Sequence, residues 1–326
     1  MPHLNPISRR EFLRRSSLLA GGGTLLPLSR FMASPAESSE PLVEDGKPMI
    51  LAGRTLRATA IYAQPSDDAR AIGQLTTDSV IEIVTHSLSA AWYGLPLGFV
   101  PRGAVQPILP YARPEIRDEI GNGFWAEIVA PVSAIREWCY AHAPVVTRLG
   151  FGAVVYVTDR LLTDDGQSWY GLSRAPGSPL LGWVSALHVA EWTPPAPSHP
   201  RPAHPNILIS LSQQNLSVLD GGKVLVTFPV YASGMSRIET KPGYLHVVVP
   251  GTARSHDLPL GVPWLMATDG GQQVHGAFWH NEFGLIPGED EKRLNGSASV
   301  IELTTFESRW LYGWLLCVGE PVETRI

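Results

Sequence analysis

One order of short runs occurs twice between residues 53 and 192, and that repetition limits the fold more than any other feature of the chain. The first copy reads Ile61-Tyr62-Ala63, Ile72-Gly73-Gln74-Leu75, Val80-Ile81-Glu82-Ile83-Val84, Trp92-Tyr93-Gly94 and Gly98-Phe99-Val100. The second reads Ala134-Ile135-Arg136, Val146-Thr147-Arg148-Leu149, Val154-Val155-Tyr156-Val157, Trp169-Tyr170-Gly171 and Gly182-Trp183-Val184. Each run is short, rich in β-branched and aromatic residues, and bounded by Gly, Asp or Pro, which is the pattern of a strand. The repeat therefore predicts two small β units in tandem. Residues from Tyr111 to Ile128 fit neither copy cleanly and leave room for a short helix. Composition agrees: 31 Gly and 29 Pro in 326 residues favour turns and short strands over long helices.

The clearest boundary is Thr193 to Pro205, which holds six prolines in thirteen residues. Proline has no N–H for a sheet ladder and fixes φ near the extended value, so residues 193–205 read as a semi-rigid spacer. His199 and His204 lie inside it and read as solvated. The repeat units are expected at 53–110 and 111–192, with a Ser-, Pro- and Glu-rich tether at 37–52.

At the N-terminus, Ser8-Arg9-Arg10-Glu11-Phe12-Leu13 and Arg14-Arg15 precede a small-residue, weakly apolar run from Ser16 to Leu28. A basic patch before a short apolar stretch is export-signal architecture, and the stretch is too short to span a bilayer. The twin arginine followed by Phe and Leu resembles a twin-arginine translocation signal. The resemblance implies export to the cell envelope, with residues 1–36 as the signal and cleavage after Ala36. No other stretch approaches the ~20 apolar residues of a membrane span, so none is expected beyond an uncleaved signal. The net charge of -5, with no basic block past the first residues, gives no footprint for nucleic acid. Two cysteines, Cys139 and Cys317, do not make a disulfide framework and are expected as separate buried thiols.

Beyond the spacer, Asn206 to Leu211, Gln213 to Leu219 and Lys223 to Phe228 read as strands, the last two joined at Asp220-Gly221-Gly222 as a hairpin. Tyr244 to Val249 and Val300 to Leu303 read as further strands. Phe306, Trp310 and Trp314, four apart, predict a helix from Thr305 to Leu316. Several motifs here resemble the catalytic domain of L,D-transpeptidases of the YkuD type. They are Ile209-Ser210-Leu211-x-x-Gln214-x-Leu216, Pro229-Val230, Ser233-Gly234, Thr240-Lys241-Pro242-Gly243, Gly261-Val262-Pro263-Trp264 and Val274-His275-Gly276-Ala277-Phe278-Trp279-His280-Asn281-Glu282-Phe283-Gly284. The resemblance covers residues 206–326. The repeats, with their Trp-Tyr pair and following Gly-aromatic-Val, resemble bacterial SH3-like barrels, modules that commonly bind cell-wall peptides or glycans. The resemblances together imply a mainly β fold: two SH3-like barrels, then a β-rich transpeptidase-like domain with one C-terminal helix.

The transpeptidase resemblance implies acyl transfer through a thiolate. In that family the Cys of a Ser-His-Gly-Cys motif attacks a stem-peptide carbonyl, and its thioester passes to an amine on a neighbouring stem. The His beside the Cys takes the thiol proton, and backbone amides hold the oxyanion. The matching segment here is Ser297-Ala298-Ser299-Val300-Ile301-Glu302-Leu303. Val300 stands at the nucleophile position and Ala298 at the His position, behind a lengthened loop carrying Glu289, Asp290 and Glu291. Valine cannot form a thioester, so no catalytic residue of the family's set is intact. His275, Gly276, Trp279, His280, Ser297 and Ser299 remain as pocket residues. No carboxylate is obviously placed to orient either His, a two-His set leaves the other metal ligands unidentified, and no metal or cofactor is expected. Two readings follow. One is a non-catalytic binding or regulatory protein that engages peptidoglycan stem peptides or glycan, or a cell-wall synthesis protein. The other is a peptidoglycan transpeptidase or hydrolase with Ser297, Ser299 or Cys317 as substitute nucleophile.

Overall fold

The computed structural model describes residues 43–44, 47–48, 51–84, 91–108, 114–192, 201–233, 243–247, 260–285 and 300–325. The expected signal at 1–36, most of the tether, residues 193–200 of the spacer, and Ser297, Ala298 and Ser299 lie outside the described residues. The fold is mainly β, 50% strand and 9% helical, with barrel-like sheets. The chain divides into two compact units, residues 1–111 and 112–326.

In the first unit a three-stranded sheet runs Val80–Ile83, Leu51–Thr55, Val105–Ile108. A four-stranded sheet runs Ala71–Leu75, Thr59–Tyr62, Gly98–Pro101, Trp92–Leu95. Leu75, Ile83, Tyr93, Val100, Ala104 and Val105 form its core. The second unit opens with a seven-stranded antiparallel sheet ordered Val145–Gly150, Val132–Arg136, Gly182–Ser185, Ser168–Ser173, Val154–Leu162, Phe124–Ile128, Val189–Glu191.

The two repeats match in detail. The matching strand pair slips register in each, at Ile61/Tyr62 in the first and Ile135/Arg136 in the second, and the second repeat slips again at Val157/Asp159. Tyr93 lies opposite Val100, and Tyr170 opposite Val184. Gly98 and Gly182 both sit at positive φ, 152° and 154°. A Cβ on either would lie 2.6 Å from a carbonyl oxygen, of Tyr62 or of Arg136. Only glycine fits that approach, which explains the Gly-aromatic-Val signature. A 3₁₀ turn follows in both, Arg102–Ala104 and Ala186–His188. Residues 114–123 contain no helix; they lead directly into the Phe124–Ile128 strand.

The rest of the second unit is a nine-stranded mixed sheet. Its order is Lys223–Pro229, Asn215–Asp220, Pro205–Ser210, Val322–Arg325, Gly243–Val247, Met266–Thr268, Gln273–Ala277, Val300–Thr304, Tyr231–Ser233. A helix, Thr305–Val318, packs on one face. Its start is fixed by a capping box in which the Thr304 side chain accepts from the Glu307 N–H and the Glu307 carboxylate accepts from the Thr304 N–H. Such a cap stabilises a helix by about 1 kcal/mol. The helix ends at Val318, two residues later than the aromatic spacing predicts, and Gly319 caps it in the left-handed conformation. Leu311, Trp314, Leu315 and Val318 bury against Ile207, Leu216, Val274, Ile301 and Leu303. Each fully buried apolar side chain contributes roughly 1.5–3 kcal/mol.

The second repeat and this sheet share packing. Phe278 belongs to the repeat's core. Phe151 meets Phe306 at 5.9 Å, Trp192 meets Trp264 at 5.6 Å, and the Val154 N–H donates to the Gly261 carbonyl at 3.0 Å. No helix among the described residues is long and apolar enough to cross a membrane.

Candidate functional site

Alternation along three neighbouring strands builds the site. In Val300–Thr304 the side chains of Ile301 and Leu303 enter the core, so Val300, Glu302 and Thr304 face the other way. The parallel partner strand places His275 opposite Glu302 and Gln273 opposite Val300. The antiparallel partner places Tyr231 opposite Glu302 and Ser233 opposite Val300. One row is therefore Tyr231, Glu302, His275, and the next is Ser233, Val300, Gln273. Val300, at the nucleophile position of the resemblance, stands beside Glu302 on this face.

Gln214 secures the outer strand. Its buried side chain accepts from the Ala232 N–H at 2.7 Å and donates to the Leu211 carbonyl at 2.9 Å. Its own carbonyl accepts from the Val230 N–H at 2.9 Å. Losing that side chain would orphan a buried N–H, at a cost of about 1–3 kcal/mol.

His280 comes back over the row from the turn after Gln273–Ala277. Its ring lies 4.9 Å from Tyr231 and 4.7 Å from Phe283. The Glu282 backbone N–H can only donate, and it points at His280 Nδ1 at 3.2 Å. That nitrogen therefore carries the lone pair, which puts the ring proton on Nε2, where it donates to Glu302 Oε2 at 2.9 Å. Both nitrogens of His280 are engaged.

His275 is the opposite case. It is 1% exposed, and its Nδ1 donates to the Gly276 carbonyl at 3.0 Å, leaving Nε2 as an acceptor. That Nε2 is buried and has no hydrogen-bond partner among the described residues. Burial pushes the imidazole below its ordinary pKa, with the Glu302 charge opposing and His280 reinforcing. The ring is neutral near pH 7. Gln273 Oε1 on the same face is also buried without a partner among the described residues.

The other sequence-predicted residues separate into different roles. Trp279 is half-buried, 5.8 Å from the His275 ring and 5.0 Å from Phe278. Gly276 lies under the helix: a Cβ there would sit 2.4 Å from Ser308 Oγ and 2.9 Å from Pro263 Cγ. Its glycine is dictated by helix-on-sheet packing. Cys317 is in the last helical turn, one residue past the helix end that the sequence predicts. It lies nine residues past Ser308, about 14 Å along the axis at 1.5 Å per residue, which separates it from the His275 strand. Cys139 and Cys317 are both half-buried, where the sequence predicts separate buried thiols.

Glu302 is the residue that sequence reasoning missed. It lies two residues past Val300 in the matching segment, and only the long-range pairing of two parallel strands reveals it as the partner of His280. Among the described residues, no group of three or more His, Cys, Asp or Glu is arranged to hold a metal.

Solved structures similar to this chain include L,D-transpeptidases. L,D-transpeptidase 1 of Mycobacterium tuberculosis matches at 18% identity over 48% of this chain and 70% of its own, with a TM-score of 0.25. An L,D-transpeptidase from Mycobacterium smegmatis matches at 16% identity over 62% of this chain and 99% of its own, at 0.26. NlpC2 from Trichomonas vaginalis matches at 11% identity over 44% and 49%, at 0.17. No family model and no curated protein sequence matches the chain. The chemistry of the site therefore rests on its own residues.

Proposed function

We propose that this is an exported cell-envelope protein, related to L,D-transpeptidases, that binds peptidoglycan without transferring an acyl group. In this reading residues 1–36 direct twin-arginine export. Residues 53–110 and 111–192 are SH3-like modules, and residues 206–326 hold the stem-peptide pocket.

The observation that carries the reading is Val300. It stands on the His275–Glu302 face at the nucleophile position of the resembled motif, and it has no ionisable group. The two imidazoles support the same conclusion. His280 has both nitrogens engaged, and among the described residues no hydroxyl or thiol is hydrogen-bonded to His275 Nε2. A general base must lie within hydrogen-bond reach of the proton it removes, about 2.6–3.2 Å.

The test is to incubate the exported form with purified sacculi, sediment them, and resolve the released muropeptides by chromatography. The protein is expected in the pellet with stem tetrapeptides unchanged. New tripeptides or new cross-links would sink the non-catalytic claim. Protein left wholly in the supernatant would sink the peptidoglycan claim.

A further inference from the structure

We propose that the loop 137–144 of the second repeat docks on a lipid bilayer, with Trp138 and Tyr140 entering the headgroup layer. The site is separate from the Glu302 face and does not depend on the stem-peptide reading. It emerges when the loop is set beside its counterpart, loop 63–70 of the first repeat. The two have the same length and the same three backbone hydrogen bonds. The Ala63 N–H donates to the Arg70 carbonyl and the Glu137 N–H to the Pro144 carbonyl, both at 3.0 Å. The Ser66 N–H donates to the Gln64 carbonyl at 2.8 Å, and the Tyr140 N–H to the Trp138 carbonyl at 2.9 Å. The Ala69 N–H donates to Ser66 and the Ala143 N–H to Tyr140, both at 3.1 Å. One backbone thus serves both loops, and it puts Trp138 where the first repeat has Gln64 and Tyr140 where it has Ser66. The fold asks for neither aromatic ring.

Both rings stand in water. Trp138 is 57% exposed and Tyr140 53%, whereas the other nine tryptophans of the chain are buried or half-buried. The loop that carries them is nevertheless fixed: Arg136 Nη1 donates to the carbonyl of the buried Ala143 at 2.6 Å. A fixed loop that shows two large rings to solvent is a contact surface. Exposed aliphatic side chains lie at the same end of the sheet. Arg136 is opposite both Val145 and Trp183, so Val145 and Val146 follow the loop, and Leu180 enters its strand beside the loop's base. All three are exposed.

The chemistry of the tip selects its occupant. Trp and Tyr each join an apolar body to one polar group, the combination suited to a membrane–water interface. Residues 138–141, Trp-Cys-Tyr-Ala, carry no charge. Burial and Asp159 both push the Cys139 thiol above its ordinary pKa, so it too is neutral at pH 7. The tip therefore enters the headgroup layer without stripping water from an ion, and its turn bonds keep part of its backbone satisfied there. Glu137, His142 and Arg174 flank the tip and are exposed. A saccharide would need donors and acceptors around the rings for its hydroxyls, and Val145, Val146 and Leu180 offer none.

The experiment mixes the full chain with phosphatidylcholine vesicles whose acyl chains carry bromine, and follows tryptophan emission against plain vesicles. Bromine quenches only rings that reach the lipid. Residues 1–91 contain no tryptophan, so an N-terminal segment lodged in the vesicle gives no signal of its own. Emission is expected to fall by about a tenth, one tryptophan of ten. That fall is expected to vanish in Trp138→Gln and to shrink by roughly half or more in Tyr140→Ser. Both variants give the second loop the side chains that the first already carries on the same backbone, so the fold accommodates them. Equal emission with brominated and plain vesicles overturns the inference. So does quenching that survives Trp138→Gln, or quenching that appears only when phosphatidylglycerol is added. A Trp138-dependent change with chain concentration or with soluble glycan fragments, and none with lipid, also overturns it and assigns the two rings to a second copy or to a saccharide. None of these results touches the stem-peptide reading.

Discussion

The two repeats hold a buried charge at the same point of the same strand, and the charges are opposite. Arg54 pairs in register with Val80 and Gln106; Glu127 pairs with Val154 and Ala190. Their exposures are 7% and 8%. Arg54 finds its counter-charge inside its own repeat, Asp78 at 3.9 Å. Glu127 finds it in the C-terminal helix, Arg309 at 3.8 Å, whose guanidinium also lies 5.1 Å over the Trp264 ring. The difference teaches that one backbone frame tolerates either sign when something closes the circuit. In the first repeat that closure is local. In the second it is supplied by the helix that ends the mixed sheet, so this repeat depends electrostatically on residues outside itself. Burial shows in both groups: it lowers the pKa of Arg54 against the pull of Asp78, and raises that of Glu127 to about 7 against Arg309.

Trp264→Ala should break the comparison most strongly. Trp264 is 3% exposed and packs on Trp192, Tyr312 and Arg309, joining the second repeat to the helix. Truncating a buried Trp costs about 3–5 kcal/mol. Hydrogen exchange is expected to accelerate in Phe124–Ile128 and to stay unchanged in Leu51–Thr55; equal acceleration in both would refute the asymmetry.

Glu127→Gln should have the next largest effect, and it depends on pH. The folded pKa of about 7 exceeds the ordinary 4.5, so the folded state holds the proton more tightly than the unfolded one. Stability therefore falls as pH rises from about 4.5 and levels off above about 7, by roughly 3 kcal/mol in all. The Gln variant is expected to lose that slope in urea unfolding at pH 5 and pH 8.5. A slope as steep as that of the unmodified chain would count against Glu127 as its source.

Arg309→Ala should cost less, about 1–2 kcal/mol at pH 8.5, because the half-exposed guanidinium is screened by water. The loss is expected to shrink at pH 5, where Glu127 is protonated. Asp78→Asn should cost least, about 0.5–1 kcal/mol in urea unfolding. Asn is suited to the test because Asp78 sits at φ 63°, a conformation Asn also tolerates.

The sequence revealed what local patterns encode. The Trp-Tyr and Gly-aromatic-Val pairs located both repeats because the glycine answers a steric demand within a few residues of itself. Asp220-Gly221-Gly222 marked its hairpin for the same reason. The helix was found from Phe306, Trp310 and Trp314, but its end was not, since nothing in that spacing speaks of Gly319. The site was only half legible. His275 and His280 stood in recognisable motifs, whereas Glu302 faces them through a parallel pairing across 27 residues that leaves no periodic trace. Arg309 likewise reaches Glu127 across 182 residues, a distance at which no local pattern operates. Gly276, read as a pocket residue, owes its small size to Ser308 above it.

Under the proposed function Val300 cannot carry an acyl group and the chain acts by recognition. Intact-protein mass spectrometry of the exported form, after incubation with excess stem tetrapeptide, tests this most directly. The predicted result is a single unshifted mass at every time point from pH 5 to 8.5. An adduct equal to the acyl portion of the peptide, on any residue of the chain, would contradict it.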